Sequence, residues 1–198
     1  MIFYDENNNI VNHHHMEAQE QELANTYVEE NDVVLELGAR YGTVSCTISK
    51  KLNNNKNLVV VEPDERVWDA LEKNKNVNGC DFHIVKGFIS NKKLNLTNKD
   101  VCYGYGTTFT VDETTSIPSY SLDEITTNLN LKFNVLIADC EGFLEVFFDE
   151  NPSFYDNLRL VIFEADYDEK CNYQKIRFAL RNRNFVEVVR GTQNVWRK

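Results

Sequence analysis

The 198-residue chain is poor in glycine (eight), proline (three) and tryptophan (two), and none of its apolar runs approaches the ~20 residues needed to cross a bilayer. With so little proline, no linker divides the chain. One domain over 1–198 is expected, with 1–31 as a helical lead-in. The opening MIFYDENNNIVN has no basic region and no hydrophobic stretch of signal-peptide type. The expectation is a cytoplasmic protein with no membrane association. Basic residues are also scarce, 21 against 31 acidic, for a formal charge of -10. A surface of that sign repels nucleic acid, so a nucleic-acid partner is disfavoured. Lys92-Lys93 and Arg181 to Arg183 are short clusters that solvated helix or loop faces explain. The five cysteines, Cys46, Cys80, Cys102, Cys140 and Cys171, contain no C-x-x-C pair. That spacing excludes a zinc ribbon and a thioredoxin-like redox site, and leaves reduced thiols as the simplest state.

Against this background, strand and helix periodicities alternate along the chain. Leu23, Ala24, Tyr27 and Val28 place one apolar face on a helix over 16–30. VVLEL (33–37) and LVVVE (58–62) are short β-branched runs, as of buried strands. Between them Val44, Ile48 and Leu52 recur every fourth residue. Asp64 can cap a helix that buries Val67, Ala70 and Leu71. FHIVKG (82–87), FNVLIAD (133–139) and LRLVIFEAD (158–166) give three more strands. Ser121-Leu-Asp-Glu124 has capping-box spacing. Residues 101–118 are rich in Gly, Thr and Tyr without helical period, so a loop or hairpin is expected. The ending FVEVVRGTQNVWRK reads as an antiparallel hairpin about Arg190-Gly191. Together these predict an α/β three-layer sandwich of Rossmann-like type, its seven-stranded sheet mostly parallel with a C-terminal antiparallel hairpin.

With few glycines in the chain, their positions at strand ends are informative. The first sheet strand runs into Glu36-Leu-Gly38-Ala39-Arg40-Tyr41-Gly42. A glycine at 38 permits a sharp turn and lets a ligand touch the backbone, while Gly42 lets the next helix start close by. The G-x-x-x-G spacing is not the G-x-G-x-x-G of a pyrophosphate loop, which argues for a nucleoside without phosphates. Glu62 ends the second strand a little over 20 residues beyond Gly38, where a nucleotide fold puts the acid that binds ribose hydroxyls. Pro63 and Asp64 then turn the chain. Either acid alone fits equally well as a solvated strand end; their joint register with the glycines favours a site. After the third strand, Gly87-Phe88 can lie against a base, although Phe88 also reads as core.

The run VVLELGARYGTVS, the VVVEPDERVWDALEKN that follows, IPSYSLDEI and FNVLIADCEGFLEVFF together resemble the FkbM-type methyltransferases, over about residues 32–164. The first two motifs are shared by many methyltransferases, whereas the S-L-D-E and D-x-E-G segments are more specific to this family. The resemblance implies S-adenosyl-L-methionine as cofactor, bound by Glu36, Gly38, Ala39, Arg40, Tyr41, Gly42, Glu62, Pro63, Gly87, Phe88 and Asp139. It also implies O-methylation of a hydroxyl on a sugar, glycan or other small metabolite. The chain departs from the family at Arg40, Ile137 and Leu144.

Asp139 ends the fourth strand, beside the expected methyl group. Methyl transfer is an in-line displacement, so holding the acceptor oxygen close and aligned supplies much of the catalysis. Asp139 and Glu141 are the candidate catalytic pair, as base or acceptor-orienting groups. Alternatively they only hydrogen-bond substrate or cap the helix near Gly142. A divalent ion would need a third hard ligand, and none is identifiable, so no metal is expected. His13-His14-His15 point in different directions on any regular backbone and belong to the lead-in, with one of them in reserve as a base. His83 lies within a strand and reads as structural. Tyr103-Gly-Tyr105-Gly106 could line an acceptor pocket, since aromatic faces stack on sugar rings.

Overall fold

The computed structural model describes residues 1–15, 17–99 and 105–198. Its centre is a seven-stranded sheet built from the β-branched runs. In chain order these are β3 (Val34–Leu37), β4 (Leu58–Glu62), β5 (His83–Lys86), β10 (Val135–Ala138), β11 (Leu160–Glu164), β12 (Val186–Val189) and β13 (Gln193–Arg197). The spatial order is β12-β13-β11-β10-β3-β4-β5. Strands β5, β4, β3, β10 and β11 are mutually parallel, whereas β13 runs antiparallel to β11 and β12. This is the α/β sandwich expected from the alternation of periodicities, with the hairpin at the C-terminus.

Because side chains alternate across a strand, the sheet supplies two cores. Leu35, Leu37, Val59, Val61, Leu136, Val161 and Phe163 face one layer of helices: α4 (Leu122–Leu129), α5 (Leu144–Glu150), α6 (Phe154–Asn157) and α7 (Tyr173–Arg181). Val34, Val60, Val135, Ile137 and Ile162 face the other: α1 (Ala18–Tyr27), α2 (Thr43–Lys51) and α3 (Trp68–Val77). Helix α4 starts at the expected capping box: the Ser121 hydroxyl accepts from the Glu124 N–H, and the Glu124 carboxylate accepts from the Ser121 N–H. Asp64 caps a short 3-10 turn that leads into α3.

Helix α1 is shorter than the periodicity of 16–30 predicts. Val28 turns into extended backbone while its N–H still caps Ala24, so Ala24 and Val28 are buried and Leu23 and Tyr27 pack partly against them. Met16, with which that prediction began, lies outside the described residues, as do Cys102 and Tyr103. The expected loop or hairpin at 101–118 contains β8 (Thr108–Val111), paired antiparallel with β7 (Leu94–Thr97). Two small pairings had no clear sequence signal. Strand β6 (Phe88–Ile89) runs parallel to β9 (Ser119–Tyr120). At the N-terminus β1 (Phe3–Tyr4) and β2 (Ile10–Val11) form a hairpin that docks on α3. There Asn74 and Asn78, one helical turn apart, each bond the backbone N–H and C=O of one residue, Tyr4 and Ile2 respectively. Among the described residues no helix is long and apolar enough to cross a membrane.

Candidate active site

Strand β3 leads to β4 through α2 on one side, but its other neighbour is β10, about 100 residues later in the chain. The order reverses between β3 and β10, and a crevice opens beyond their carboxyl ends. Gly38 sits at that point with φ +86°, and a Cβ there would lie 1.7 Å from the carbonyl oxygen of Asp139. Only glycine permits so close an approach at this φ. The Gly38 and Ala39 N–H groups donate to the Val61 carbonyl at 3.0 and 3.3 Å, and the Asp139 N–H donates to Leu37 at 3.0 Å. These bonds lock the turn to both neighbouring strands.

A cleft of about 740 Å³ lies over this turn. Glu62 stands on one wall, 6% exposed. Its Oε2 accepts the Arg40 N–H at 2.6 Å and its Oε1 accepts the Asp64 N–H at 2.7 Å. The carboxylate is thus fixed in orientation, yet each oxygen keeps a lone pair that a ribose hydroxyl can use. Burial, tempered by those two backbone bonds, lifts its pKa to about 7. The Glu62 carbonyl also accepts from the Trp68 indole and the Gly87 N–H, which ties β4 to α3 and to β5. Asp64 is paired with Arg66 at 2.6 Å. Arg40, the one basic residue lining the cleft among the described residues, holds its guanidinium 4.1 Å from the Tyr105 ring centroid and 4.7 Å from that of Tyr41.

The opposite wall is apolar. Phe88, Phe109 and Phe143 form an aromatic corner, with ring centroids 5.7 Å apart for Phe88–Phe143 and 5.3 Å for Phe109–Phe143. Phe88 is both core and wall, so the two sequence-based alternatives coincide. Between the walls stand Asp139 and Glu141. Asp139 faces Glu164 and Glu141 faces Asp166, so the ends of β10 and β11 oppose two carboxyl pairs. Burial and the opposed carboxyls raise Asp139 well above its ordinary range and Glu141 to about 9. One oxygen of each, Asp139 Oδ1 and Glu141 Oε2, is buried without a hydrogen-bond partner. The positive φ of Glu141 (50°) and of Gly142 (84°) turns the chain sharply into α5.

Of the residues singled out from sequence, Gly38, Arg40, Glu62, Pro63, Phe88, Asp139 and Glu141 line the main cleft. Glu36 lines a second, smaller cavity of about 330 Å³ behind Gly38. Ala39, Tyr41, Gly42 and Gly87 line neither. Tyr41 hydrogen-bonds Glu6 of the N-terminal hairpin at 2.5 Å. A Cβ on Gly42 would meet Leu71, and one on Gly87 would meet the Pro118 carbonyl, so both serve close packing. None of the histidines 13–15 lines either of these two cavities, and the His13 ring packs between Phe3 and His14. Tyr105 lines the cleft beside Thr107, Thr108 and Leu96. Glu17 was not apparent in the sequence: it precedes α1, bonds the Thr43 hydroxyl and lines both cavities. An isolated acid ahead of a weakly amphipathic helix carries no signal of its own.

No protein-family model and no curated protein matches the sequence. The fold does have counterparts among solved structures. A precorrin-6y C5,15-methyltransferase from Geobacter metallireducens is similar with a TM-score of 0.54 and 11% identity, covering 89% of this chain and 84% of that one. The ribosomal protein L11 methylase of Lactobacillus delbrueckii subsp. bulgaricus gives 0.52 and 18%, over 93% and 80%. A precorrin 8w decarboxylase from Methanobacterium thermoautotrophicum gives 0.53 and 12%, over 91% and 88%. The chain has the Rossmann-like fold of class I methyltransferases. The acceptors in those names differ, a corrinoid in one and a protein in another, so the acceptor is a property of each site rather than of the fold.

Proposed function

We propose that the chain is an S-adenosyl-L-methionine-dependent methyltransferase of FkbM type that acts in the cytoplasm on a hydroxyl of a sugar, glycan or other small metabolite. The observation that carries this is the crevice at the strand-order reversal, where Gly38 lets its turn pack directly against the Asp139 backbone while lining the cleft, and the fixed Glu62 carboxylate keeps lone pairs for a ribose diol. The residues fit the donor: a glycine cradle for the nucleoside, an acid for the ribose, Phe88 for the base and no phosphate-binding loop. When bound, the donor supplies an electrophilic methyl group on a sulfonium.

The protein's own part is to orient, exclude water and move a proton. Phe88, Phe109 and Phe143 give the cleft an apolar wall that disfavours water. Asp139, at the end of β10, receives the proton of the acceptor hydroxyl, and Glu141 orients the acceptor. The SLDE and DCEG segments support the family assignment, and the free thiols Cys46, Cys80, Cys140 and Cys171 agree with a reducing compartment.

Calorimetry with S-adenosylhomocysteine tests the donor site: binding to the wild type and a loss of about tenfold or more in Glu62→Ala are expected. Equal affinity in the variant rules out the ribose contact. Transfer of labelled methyl from donor into a cell extract, fractionated by size and nuclease sensitivity, tests the acceptor class. Label in small molecules supports the proposal, while label in protein or nucleic acid replaces it with a macromolecular acceptor. A second reading, a binding module without transfer, is favoured by the burial and the opposed carboxyls that raise the pKa values of Asp139 and Glu141. Donor binding with no labelled product in any fraction selects it.

A further inference from the structure

Glu17, Gly38 and Asp139 line both cavities and so stand between them, at a position we call the neck. Glu36, which lines the smaller cavity, is 2% exposed, and its Oε2 makes no hydrogen bond of normal geometry among the described residues, with the Ser45 hydroxyl beside the carboxyl. A buried carboxyl oxygen left in that state costs free energy that an arriving cation or hydrogen-bond donor recovers. Glu17 reaches the neck from the lead-in, held by the hydroxyl of Thr43, and Glu20 and Gln193 close the far side. Against these acids, Arg40 is the one basic side chain among the described residues that lines either cavity, and it is stacked on two tyrosines. Adenosine held at Glu62 and an acceptor held at Asp139 leave the neck between them for the reacting sulfur.

We infer that Glu17, Glu36 and Asp139 form a carboxyl collar that binds the positively charged sulfonium donor in preference to the neutral thioether left after transfer. The inference rests on the methyl transfer proposed above and adds a specificity that the fold does not dictate. In that transfer the acceptor oxygen bonds to the methyl carbon while the carbon–sulfur bond breaks, sulfur keeping the electron pair. The hydroxyl proton passes to a carboxylate. One positive charge thereby disappears from the neck, and with it the attraction that held the ligand.

Proton linkage gives the collar a second signature. Burial lifts Glu17 to about 7, Glu36 to about 8 and Asp139 well above the ordinary carboxylate range. Glu17 acts on both of the others through like charge. Glu20 on α1, Glu62 on β4, Glu141 in the turn after β10 and Glu164 on β11 add to the same effect, and Arg40 opposes it. Near neutrality the empty collar therefore holds protons. A cation at the neck favours the ionised forms, so its binding expels protons and strengthens as pH climbs through about 7 to 8. A neutral ligand lacks that dependence. The donor's charge would also ionise Asp139, so that the base forms when the methyl group is in place.

The test compares sinefungin, an unreactive analogue with a carbon-borne ammonium in place of the methylsulfonium, with neutral S-adenosylhomocysteine. Titration calorimetry between about pH 6 and pH 9, in buffers of different ionisation enthalpy, reads affinity and proton release together. Sinefungin is expected to bind about tenfold tighter near pH 8 and to release protons, with the ratio shrinking toward pH 6. Glu36→Gln and Glu17→Gln should each narrow the ratio about threefold. Thermal melting confirms that each variant is folded; if Glu36→Gln is not, Glu17→Gln on the lead-in carries the test. Equal affinity for the two analogues at every pH, or a ratio that neither substitution moves, overturns the collar and leaves the methyltransferase assignment standing. Failure of both nucleosides to bind overturns both.

Discussion

The two walls of the cleft are built on different principles. On the β3–β4 side the polar groups that position a ligand are already tied: Glu62 to the Arg40 and Asp64 N–H groups, Asp64 to Arg66, Gly38 to Val61. On the β10–β11 side Asp139 and Glu141 face other carboxyls, and each keeps a buried oxygen without a partner. The first wall is complete before a ligand arrives. The second is electrostatically unfinished and reaches its working state only when charge or hydrogen-bond donors enter. The proposed nucleoside recognition would thus be preorganised, and the proposed proton transfer conditional.

If that contrast is right, damage to the first wall should be the more severe. Gly38→Val places a branched side chain at a left-handed φ and against the Asp139 carbonyl. A stability loss of about 3 kcal/mol or more and no S-adenosylhomocysteine binding are expected, measured by chemical denaturation and calorimetry. Normal binding in that variant would break the assignment of the crevice. On the second wall, Asp139→Asn should leave the fold intact and lower the transfer rate by about a hundredfold or more at saturating donor. A rate loss that appears only in donor affinity would move Asp139 to the first wall.

Stability against pH sharpens the contrast further. Glu17, Glu36, Glu62 and Glu141 are held above the usual glutamate value, mainly by burial. Their folded pKa values exceed the unfolded ones, so the protonated state that favours folding is fully populated below about 4.5 and is lost as pH rises through about 7 to 9. The melting temperature of the ligand-free protein should fall between about pH 6 and pH 9, less steeply in Glu36→Gln. A flat or rising profile contradicts the protonated collar. The smallest effect is expected far from both walls: Ser121→Ala removes one half of the α4 capping box and should cost about 1 kcal/mol with no change in ligand affinity.

Much of this molecule was legible in one dimension. VVLEL, LVVVE and FNVLIAD are too short and too β-branched to be helices, and the four-residue spacing of Val44, Ile48 and Leu52 suits nothing else. The register of Gly38 with Glu62 follows from a β-α-β unit of fixed length, so their shared place at the cleft could be read before any coordinates. The assigned residues that fall outside the cleft lining, and the lining residues that were invisible, depend on the approach of distant segments. Tyr41, Gly42 and Gly87 were placed at the ligand because they lie beside it in sequence, but their neighbours in space are Glu6, Leu71 and Pro118. Glu17 reaches the neck because α1 packs on α2, and Phe109 and Phe143 meet across more than thirty intervening residues.

By itself, then, the amino-acid sequence determined the order of strands and helices, the terminal hairpin and the glycine-and-acid pair that marks a nucleoside crevice, because these follow from local periodicity and short-range spacing. Tertiary structure alone decided the charge state of the cleft. An acid's pKa depends on burial and on opposing acids, and whether Glu36 or Asp139 is solvated or enclosed beside another carboxyl is settled only when the sheet closes and the lead-in packs against it.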